Sequence, residues 1–297
     1  MGKIFEALEK SRHGMNEDKN AEHKRMADSH SQSHAPGNET LFRADDGDGH
    51  ETPVFANEAI AMRIDPMLVA GLKPQSVEAE QFRLLKNAIL FPEKGNPPKC
   101  IMITSASPSE GKSFVAANLA ISLSQNIDEH VLLLDCDLRR PTIHSLFGLE
   151  PTKGLSEYLL NQEPLSTLLV KTPLNKLTLL PAGKIPSNPS ELLSSEQMRH
   201  LINELKQRYH DRYIIIDTPP PYLTSETGVI SRHVDGIVIV VRQGETHKKS
   251  VSDLIDIYGK EKILGVVYNF ASKGVGYGYG KYGYGKYGYG KYGYGSK

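Results

Sequence analysis

The chain has 297 residues, enough for one large domain or two small ones, and 39% of them are hydrophobic. Its 35 basic and 35 acidic residues balance, which argues against a general nucleic-acid-binding protein, because such proteins usually carry a basic excess. No apolar run is long enough to cross a bilayer, and the N-terminus lacks the apolar core of a signal peptide. Cys100 and Cys136 both lie in apolar runs, so we expect reduced, buried thiols and a cytoplasmic protein.

The N-terminal region does not have the pattern of a folded core. Residues 1–14 predict a short amphipathic helix, which would either fray or dock on a partner. Residues 15–62 are rich in His, Asp, Asn, Ser and Gly, a composition typical of a disordered linker. The linker histidines are irregularly spaced and no cysteines accompany them, so we favour solvated side chains over a metal site.

Residues 63–272 alternate between strand-like and helix-like patterns, which predicts an α/β domain. Continuous apolar runs such as IVIVV are typical of strands covered on both faces, so we expect a mostly parallel sheet flanked by helices. In such sheets ligands bind beyond the carboxyl ends of the strands. The main predicted elements are a helix at 76–91, a strand at 99–106, a helix at 111–125, strands at 130–137 and 177–183, a helix at 190–209, and strands at 213–220, 236–244 and 263–270.

The first loop of interest is SASPSEGKSF, residues 105–114, which follows a strand and opens a helix. A phosphate-binding loop has this context, because helix N-terminal N–H groups, a lysine and a hydroxyl surround the phosphates and Mg²⁺. Ala106 stands where the strict motif has glycine, so an ordinary helix N-terminus stays the alternative. The candidate nucleotide-binding residues are Ser107, Ser109, Glu110, Gly111, Lys112, Ser113 and Phe114.

Carboxylates follow two later strands. Asp135 and Asp137 come after HVLLL, and Asp217 ends YIII. Neighbouring carboxylates repel each other unless a cation joins them, and a hard divalent metal is the natural partner, although solvated loop acids are the alternative. Arg139 and Arg140 would either face phosphate or pair with these acids. The three loops together predict one site for ATP and Mg²⁺.

The chain ends in a K-Y-G-Y-G repeat, in the predicted flexible tail at 273–297. The tail holds eight of the 14 tyrosines and five lysines, with no acidic side chain. Glycine between the tyrosines removes steric bulk, so we expect that successive hydroxyl groups can enter one site in turn.

These motifs resemble those of the bacterial tyrosine kinases of polysaccharide biosynthesis. The Walker A loop of that family is similar to TSASPSEGKS, its second motif to LLLDCDLRRP, and its Walker B motif to YIIIDTPP. GLSEYL, LPAGKIPSNPSELL, DGIVIVVR and the tyrosine-rich tail also resemble family stretches. The resemblance covers about residues 75–297 and implies a P-loop NTPase fold of the partition-ATPase type.

The resemblance implies an ATP- and Mg²⁺-dependent protein-tyrosine autokinase. It assigns Lys112 to the β- and γ-phosphates, Ser113, Asp137 and Asp217 to the metal, and Asp135 to the acceptor hydroxyl. The division of roles between the two acids of the second motif stays open. The implied phosphoacceptors, modified in trans within a ring of subunits, are Tyr277, Tyr279, Tyr282, Tyr284, Tyr287, Tyr289, Tyr292 and Tyr294.

Three features depart from the family pattern. The E-x-x-R-x-x-R helix of the ring interface here reads Glu80, Arg83, Lys86, and lysine keeps the charge but loses the bidentate fork. A solvated helical face is the alternative to an interface. Ser109 replaces a common glycine, and Ser107 stands where partition-type ATPases have a signature lysine.

The resemblance also implies partners and a place in the cell. A transmembrane co-polymerase that determines chain length would activate the protein at the inner face of the plasma membrane, and a phosphotyrosine phosphatase would reverse the modification. The pathway under control would be exopolysaccharide or capsule synthesis. Two alternatives are a partition-type ATPase switch without kinase activity, which the missing signature lysine disfavours, and a self-associating scaffold, which leaves the nucleotide site unexplained.

Overall fold

The computed structural model describes residues 63–208, 212–221 and 226–271. The predicted helix at 1–14, the predicted linker at 15–62 and the tail at 273–297 with its eight candidate phosphoacceptors lie outside the described residues. Among the described residues, no helix is long and apolar enough to span a membrane.

A seven-stranded sheet forms the centre of the described domain. Its strands are β1 (Cys100–Ser105), β2 (His130–Asp135), β3 (Val170–Lys171), β4 (Leu177–Leu180), β5 (Arg212–Asp217), β6 (Gly236–Arg242) and β7 (Ile263–Asn269). The spatial order is β3-β4-β2-β5-β1-β6-β7, and only the β3–β4 pair is antiparallel. The predicted α/β fold with a mostly parallel sheet is confirmed.

Helices cover both faces of this sheet. They are α1 (Val69–Leu72), α2 (Val77–Leu90), α3 (Lys112–Ser124), α4 (Ile143–Leu146), α5 (Leu155–Asn161), α6 (Leu165–Leu168), α7 (Pro189–Leu193), α8 (Glu196–Arg208), α9 (Glu226–Ser231) and α10 (Lys248–Tyr258), with a 3-10 turn at Lys260–Lys262. The stretch 190–209, predicted to be helical, forms two helices, α7 and α8, instead of one. The Ser195 hydroxyl accepts a hydrogen bond from the Met198 N–H at 3.2 Å, which starts a new helix at this point.

Alternate residues of each central strand face opposite helical layers. On β1, Cys100 and Met102 face the layer that includes α5 to α10, whereas Ile101 and Ile103 face the layer of α1 to α4. All four side chains are buried. This two-sided burial explains the continuous apolar runs of the sequence, and each fully buried aliphatic side chain contributes about 1.5–3 kcal/mol.

The strand order brings the three predicted loops to one edge of the sheet. β5 lies between β1 and β2, and Asp217 at its end is in register with Ile103 on one side and Asp135 on the other. Because these strands are parallel, the loops after β1, β2 and β5 meet at their carboxyl ends.

Candidate active site

The loop between β1 and α3 takes its shape from two residues with positive φ. Gly111 has a φ of +87°, and a Cβ atom there would lie 2.0 Å from the Nδ2 atom of Asn269, so only glycine fits. Ser109 has a φ of +63°, a conformation that costs a residue with a Cβ atom more than it costs glycine. Ser109 is thus strained at the position where the resembling family commonly has glycine.

Helix α3 begins directly at this loop with Lys112 and Ser113. Its N-cap residue is Gly111, which has no side chain to accept a hydrogen bond from the N–H groups of the first turn. The first N–H groups of the helix and the positive end of its dipole can therefore serve an anion such as a phosphate.

Lys112 links the loop to the acids of the neighbouring strands. Its Nζ atom lies 2.9 Å from the Oδ2 atom of Asp137, and the two side chains are only 13% and 6% exposed. Burial alone would lower the pKa of Lys112, but the carboxylates of Asp217 and Asp137 outweigh it and raise this pKa. The ammonium group is therefore charged and sits next to the predicted phosphate site.

Asp217 differs from the other acids of the site because it is fully buried and has few hydrogen-bond partners. Neither of its carboxylate oxygens accepts a hydrogen bond of normal geometry from the described residues. Burial raises its pKa, whereas the Lys112 charge and the nearby Ser113 hydroxyl oppose that rise. A buried carboxylate whose oxygens accept no hydrogen bond of normal geometry fits a role as a ligand of Mg²⁺ or of a Mg²⁺-bound water.

The acids do not form a closed metal cage. No group of three or more His, Cys, Asp or Glu side chains among the described residues could hold a metal ion by itself. This agrees with the chemistry of Mg²⁺, which usually takes one or two carboxylates and completes its shell with water and substrate phosphates.

Asp135 has a different environment from the other two acids. Its Oδ1 atom accepts the Asp137 N–H, and its Oδ2 atom accepts the N–H groups of Thr142 and Ile143, each at 3.1 Å. Burial, followed by the Asp217 charge, raises its pKa. Asp135 thus anchors the loop after β2 and the first turn of α4.

The two arginines after Asp137 have exposed side chains. The Arg139 guanidinium donates to the Ser190 hydroxyl at 2.7 Å, and the main-chain N–H of Arg140 donates to the Asp137 carboxylate at 3.1 Å. The contacts of Asp135 and Asp137 described above are with Lys112 and main-chain N–H groups.

Residues distant in sequence complete the loop, and sequence reasoning missed them. Thr246 donates a hydrogen bond to the Glu110 carboxylate, and Asn269 donates one to the Glu110 carbonyl at 3.0 Å. Phe270 lies beside Gly111, with the Arg242 guanidinium 4.5 Å from its ring centre. These partners lie at or just after the ends of β6 and β7, more than 130 positions from the loop, so no local motif identified them.

The remaining predicted residues lie around this centre. Ser107 donates its N–H to the Glu110 carboxylate at 2.9 Å, and the Phe114 ring packs edge-on against Phe82 of α2, with ring centres 5.5 Å apart. The ring of Phe114 is thus part of the contact between α2 and α3.

The predicted interface residues lie on α2, and each has a partner inside the chain. Arg83 donates to the Glu80 carboxylate and to the Pro74 carbonyl, and the Lys86 ammonium donates to the Asn126 side chain at 2.9 Å. The side chains of Glu80 and Arg83 are 51% and 35% exposed, so both are accessible to another molecule.

The family model described as "ParA: NUBPL iron-transfer P-loop NTPase" matches residues 97–276, which include all three loops. Tyrosine-protein kinase YwqD of Bacillus subtilis is 37% identical over 221 residues, covering 73% of this chain and 92% of the relative. The putative tyrosine-protein kinase CapB of Staphylococcus aureus is 35% identical over 208 residues, covering 69% and 90%. Tyrosine-protein kinase wzc of Salmonella typhimurium is 34% identical, but the match spans only 30% of that longer protein.

Solved structures of similar proteins also include tyrosine kinase domains. The chimerical protein CapA2B2 superimposes with a TM-score of 0.64 at 34% identity, covering 70% of this chain and 92% of the chimera. The kinase domain of the Escherichia coli tyrosine kinase ETK superimposes with a TM-score of 0.63 at 32% identity, covering 73% and 86%.

Proposed function

Because this chain belongs to the ParA-type P-loop NTPases and, within them, to the bacterial tyrosine kinases, we propose that it transfers the γ-phosphoryl group of MgATP to tyrosines of its own tail. The observation that carries the proposal is the meeting of Lys112, Asp137 and Asp217 at the N-terminus of α3. This arrangement joins a phosphate-binding helix end to a buried cation and two buried acids.

The binding roles follow from the surroundings of each group. Lys112 and the first N–H groups of α3 hold the β- and γ-phosphates. Ser113, Asp217 and Asp137 hold Mg²⁺ directly or through water, and the burial of Asp217 with no hydrogen bond of normal geometry at its oxygens supports this role. When bound, the metal neutralises the charge that develops on the phosphates.

The reaction is a substitution at the γ-phosphorus atom. The tyrosine oxygen bonds to the phosphorus, the bond to the bridging oxygen of ADP breaks, ADP leaves, and the hydroxyl proton passes to a carboxylate or to water. Since Asp135 accepts three main-chain N–H groups, we favour Asp137 as the acid next to the acceptor and Asp135 as the residue that fixes the loop.

The acceptors that we propose are the eight tail tyrosines, Tyr277 to Tyr294, modified in trans within an oligomer. The exposed face of α2 with Glu80, Arg83 and Lys86 is the candidate interface. The glycine-spaced repeat supports acceptors that can reach a neighbouring site.

We further propose that a transmembrane co-polymerase recruits and activates the chain at the inner face of the plasma membrane, and that a phosphotyrosine phosphatase reverses the reaction. The likeness to a chimera named CapA2B2 and the greater length of the relative wzc support a second component. The controlled process would be capsule or exopolysaccharide synthesis. The iron transfer named in the family description is not supported, because the two cysteines of the chain are buried in the core.

Incubation of the purified full chain with MgATP tests this function. Phosphotyrosine mapped to the tail by mass spectrometry, and absent in Lys112→Met, supports the kinase. Phosphate release without phosphotyrosine would instead indicate a partition-type ATPase switch. If neither phosphate nor phosphotyrosine forms, the result favours a non-enzymatic scaffold. Adding the cytoplasmic segment of a candidate co-polymerase tests activation, which we expect to raise the initial rate.

A further inference from the structure

The phosphate-binding loop itself contains a buried carboxylate, that of Glu110, to which the proposed reaction gives no role. The Glu110 residue is only 3% exposed, and both of its carboxylate oxygens are occupied. Oε2 accepts the N–H of Ser107 at 2.9 Å, and Oε1 accepts the hydroxyl of Thr246. The Oγ1 atom of Thr246 in turn accepts the N–H of Arg242, the last residue of β6, at 2.8 Å.

The main chain of Glu110 is fastened as well. Its carbonyl accepts the side-chain amide of Asn269, the last residue of β7, at 3.0 Å. The same amide lies so close to Gly111 that a Cβ atom there would be 2.0 Å away. One residue of the loop therefore contacts the turn after β6 through its side chain and the end of β7 through its backbone.

These contacts do not serve charge neutralisation. The neighbouring Lys112 pairs with Asp137, and Glu110 makes no ion pair with the described residues. A carboxylate is costly to bury unless hydrogen bonds replace its hydration, and here one main-chain N–H and one hydroxyl replace it. Because Ser107 is the second residue after β1, its bond to Glu110 closes the loop across three positions.

We propose that Glu110 is a positioning residue for nucleotide binding, with Thr246 as its partner. The carboxylate holds the loop in the curved shape that presents the N-terminus of α3 to phosphates, and Thr246 fixes the carboxylate to the turn after β6. Without this pair the loop would have to be ordered by the nucleotide itself, and binding would weaken by the free energy of that ordering. The proposal rests on the proposed function only in requiring that the loop binds MgATP.

The test measures the dissociation constant of a fluorescent ATP analogue with Mg²⁺ on the full chain, together with thermal unfolding without nucleotide. In Thr246→Val the Glu110 oxygen loses its donor, and we expect binding about three- to tenfold weaker. Thr246→Ser keeps the hydroxyl and should bind within about twofold of wild type. Glu110→Gln removes the charge and leaves one acceptor oxygen for the two donors, so its effect should be like that of Thr246→Val.

A double variant and a matched control complete the design. If the two residues act as a unit, the dissociation constant of the double variant Glu110→Gln, Thr246→Val rises by a smaller factor than the product of the two single-variant factors. Glu245→Gln is the control, since Glu245 precedes Thr246 but is 64% exposed and pairs only at the surface with Arg242. Wild-type affinity in Thr246→Val and Glu110→Gln, even with a lower unfolding temperature, would overturn the proposal.

The outcomes separate this inference from the proposed function. Unchanged affinity in the variants, with tail phosphorylation by the wild type, removes the positioning role alone. A wild-type chain that binds the analogue but forms no phosphotyrosine removes the kinase, and the affinities of the variants still decide the role of Glu110. If Glu110→Gln does not fold, the comparison of Thr246→Val with Thr246→Ser tests the positioning role.

Discussion

Ser109 shows what a single backbone conformation can cost. Its φ of +63° lies in the left-handed region, where a Cβ atom approaches the carbonyl oxygen and costs roughly 1–2 kcal/mol. The residue lies two positions before Gly111, which adopts a φ of +87° without that cost. The phosphate-binding loop thus carries strain at one position and avoids it at the other.

Replacing Ser109 with glycine should therefore stabilise the protein. We expect the free energy of unfolding of Ser109→Gly to rise by up to about 1 kcal/mol, because the relief of strain exceeds the entropy that glycine gains in the unfolded chain. Urea unfolding measures the difference. Ser187→Gly is the control, since Ser187 is exposed in a loop and does not have a positive φ, so this change should destabilise slightly. A lower free energy of unfolding in Ser109→Gly would contradict the inference that the backbone of Ser109 is strained.

At the scale of elements, a buried glutamate joins α5 to the loop after β4. Oε2 of Glu157 accepts the N–H of Gly154 at 2.7 Å, and Oε1 accepts the N–H of Lys184 at 3.2 Å. The Pro181 and Ala182 carbonyls accept the first two N–H groups of α5, at 2.8 and 2.9 Å. Although burial opposes its charge, the donors around Glu157 hold the pKa of this carboxyl below its usual range.

The lowered pKa predicts a pH-dependent contribution to stability. A carboxyl whose folded pKa is depressed stabilises the fold above its unfolded pKa of about 4.3, and this stabilisation disappears as the pH falls through the folded pKa. We expect Glu157→Gln to cost about 1.5–3 kcal/mol at pH 7, and much less at pH 3. Urea unfolding of both proteins at several pH values measures this. Glu163→Gln, which removes an exposed pair with Lys153, should cost under about 1 kcal/mol at any pH. If Glu157→Gln costs the same at every pH, the ionised Glu157 carboxylate is not the source of the stabilisation.

The same elements show what the sequence could and could not predict. The apolar runs and the acids that follow them predicted the strands and the edge where Lys112, Asp135 and Asp217 meet, because strand burial and the carboxyl-end rule are local in sequence. The split of the predicted helix at 190–209 depends on one serine cap that periodicity does not detect. The contacts of Glu110 with Thr246 and Asn269 depend on the strand order β1-β6-β7, which local patterns do not specify.

At the scale of the whole molecule, α2 carries the surface that we propose as the interface between copies of the chain. Lys86 extends the Glu80–Arg83 face but uses its ammonium group to contact Asn126, beyond the end of α3. Lysine lacks the planar fork with which arginine binds a carboxylate through two hydrogen bonds.

We therefore expect Lys86→Arg to strengthen self-association, because the guanidinium can contact a carboxylate of a neighbouring copy in bidentate fashion. The midpoint concentration of assembly in sedimentation velocity should fall about three- to tenfold, since a bidentate charged bond adds of the order of 1 kcal/mol. Lys94→Arg serves as the control on an exposed lysine outside α2. An unchanged midpoint would favour a solvated helical face.

The charge of the tail suggests how the proposed reaction could act on assembly. The tail carries five lysines and no acidic side chain, and each phosphotyrosine adds about −1.5 to −2 charges at neutral pH. Three or four modified tyrosines therefore cancel or reverse its positive charge. Acidic side chains on the surface of a neighbouring copy would attract an unmodified tail and repel a modified one.

We consequently expect phosphorylation to loosen the oligomer. Sedimentation velocity of the chain after incubation with MgATP should show smaller species than before, whereas Lys112→Met, treated in the same way, should keep its size. Because the attraction acts between partly screened charges, raising the salt concentration should reduce the difference between the two states. Treatment with a phosphotyrosine phosphatase should restore the larger species. Equal sizes for the phosphorylated and unphosphorylated protein at low salt would show that tail charge does not control assembly, even if the tail tyrosines are modified.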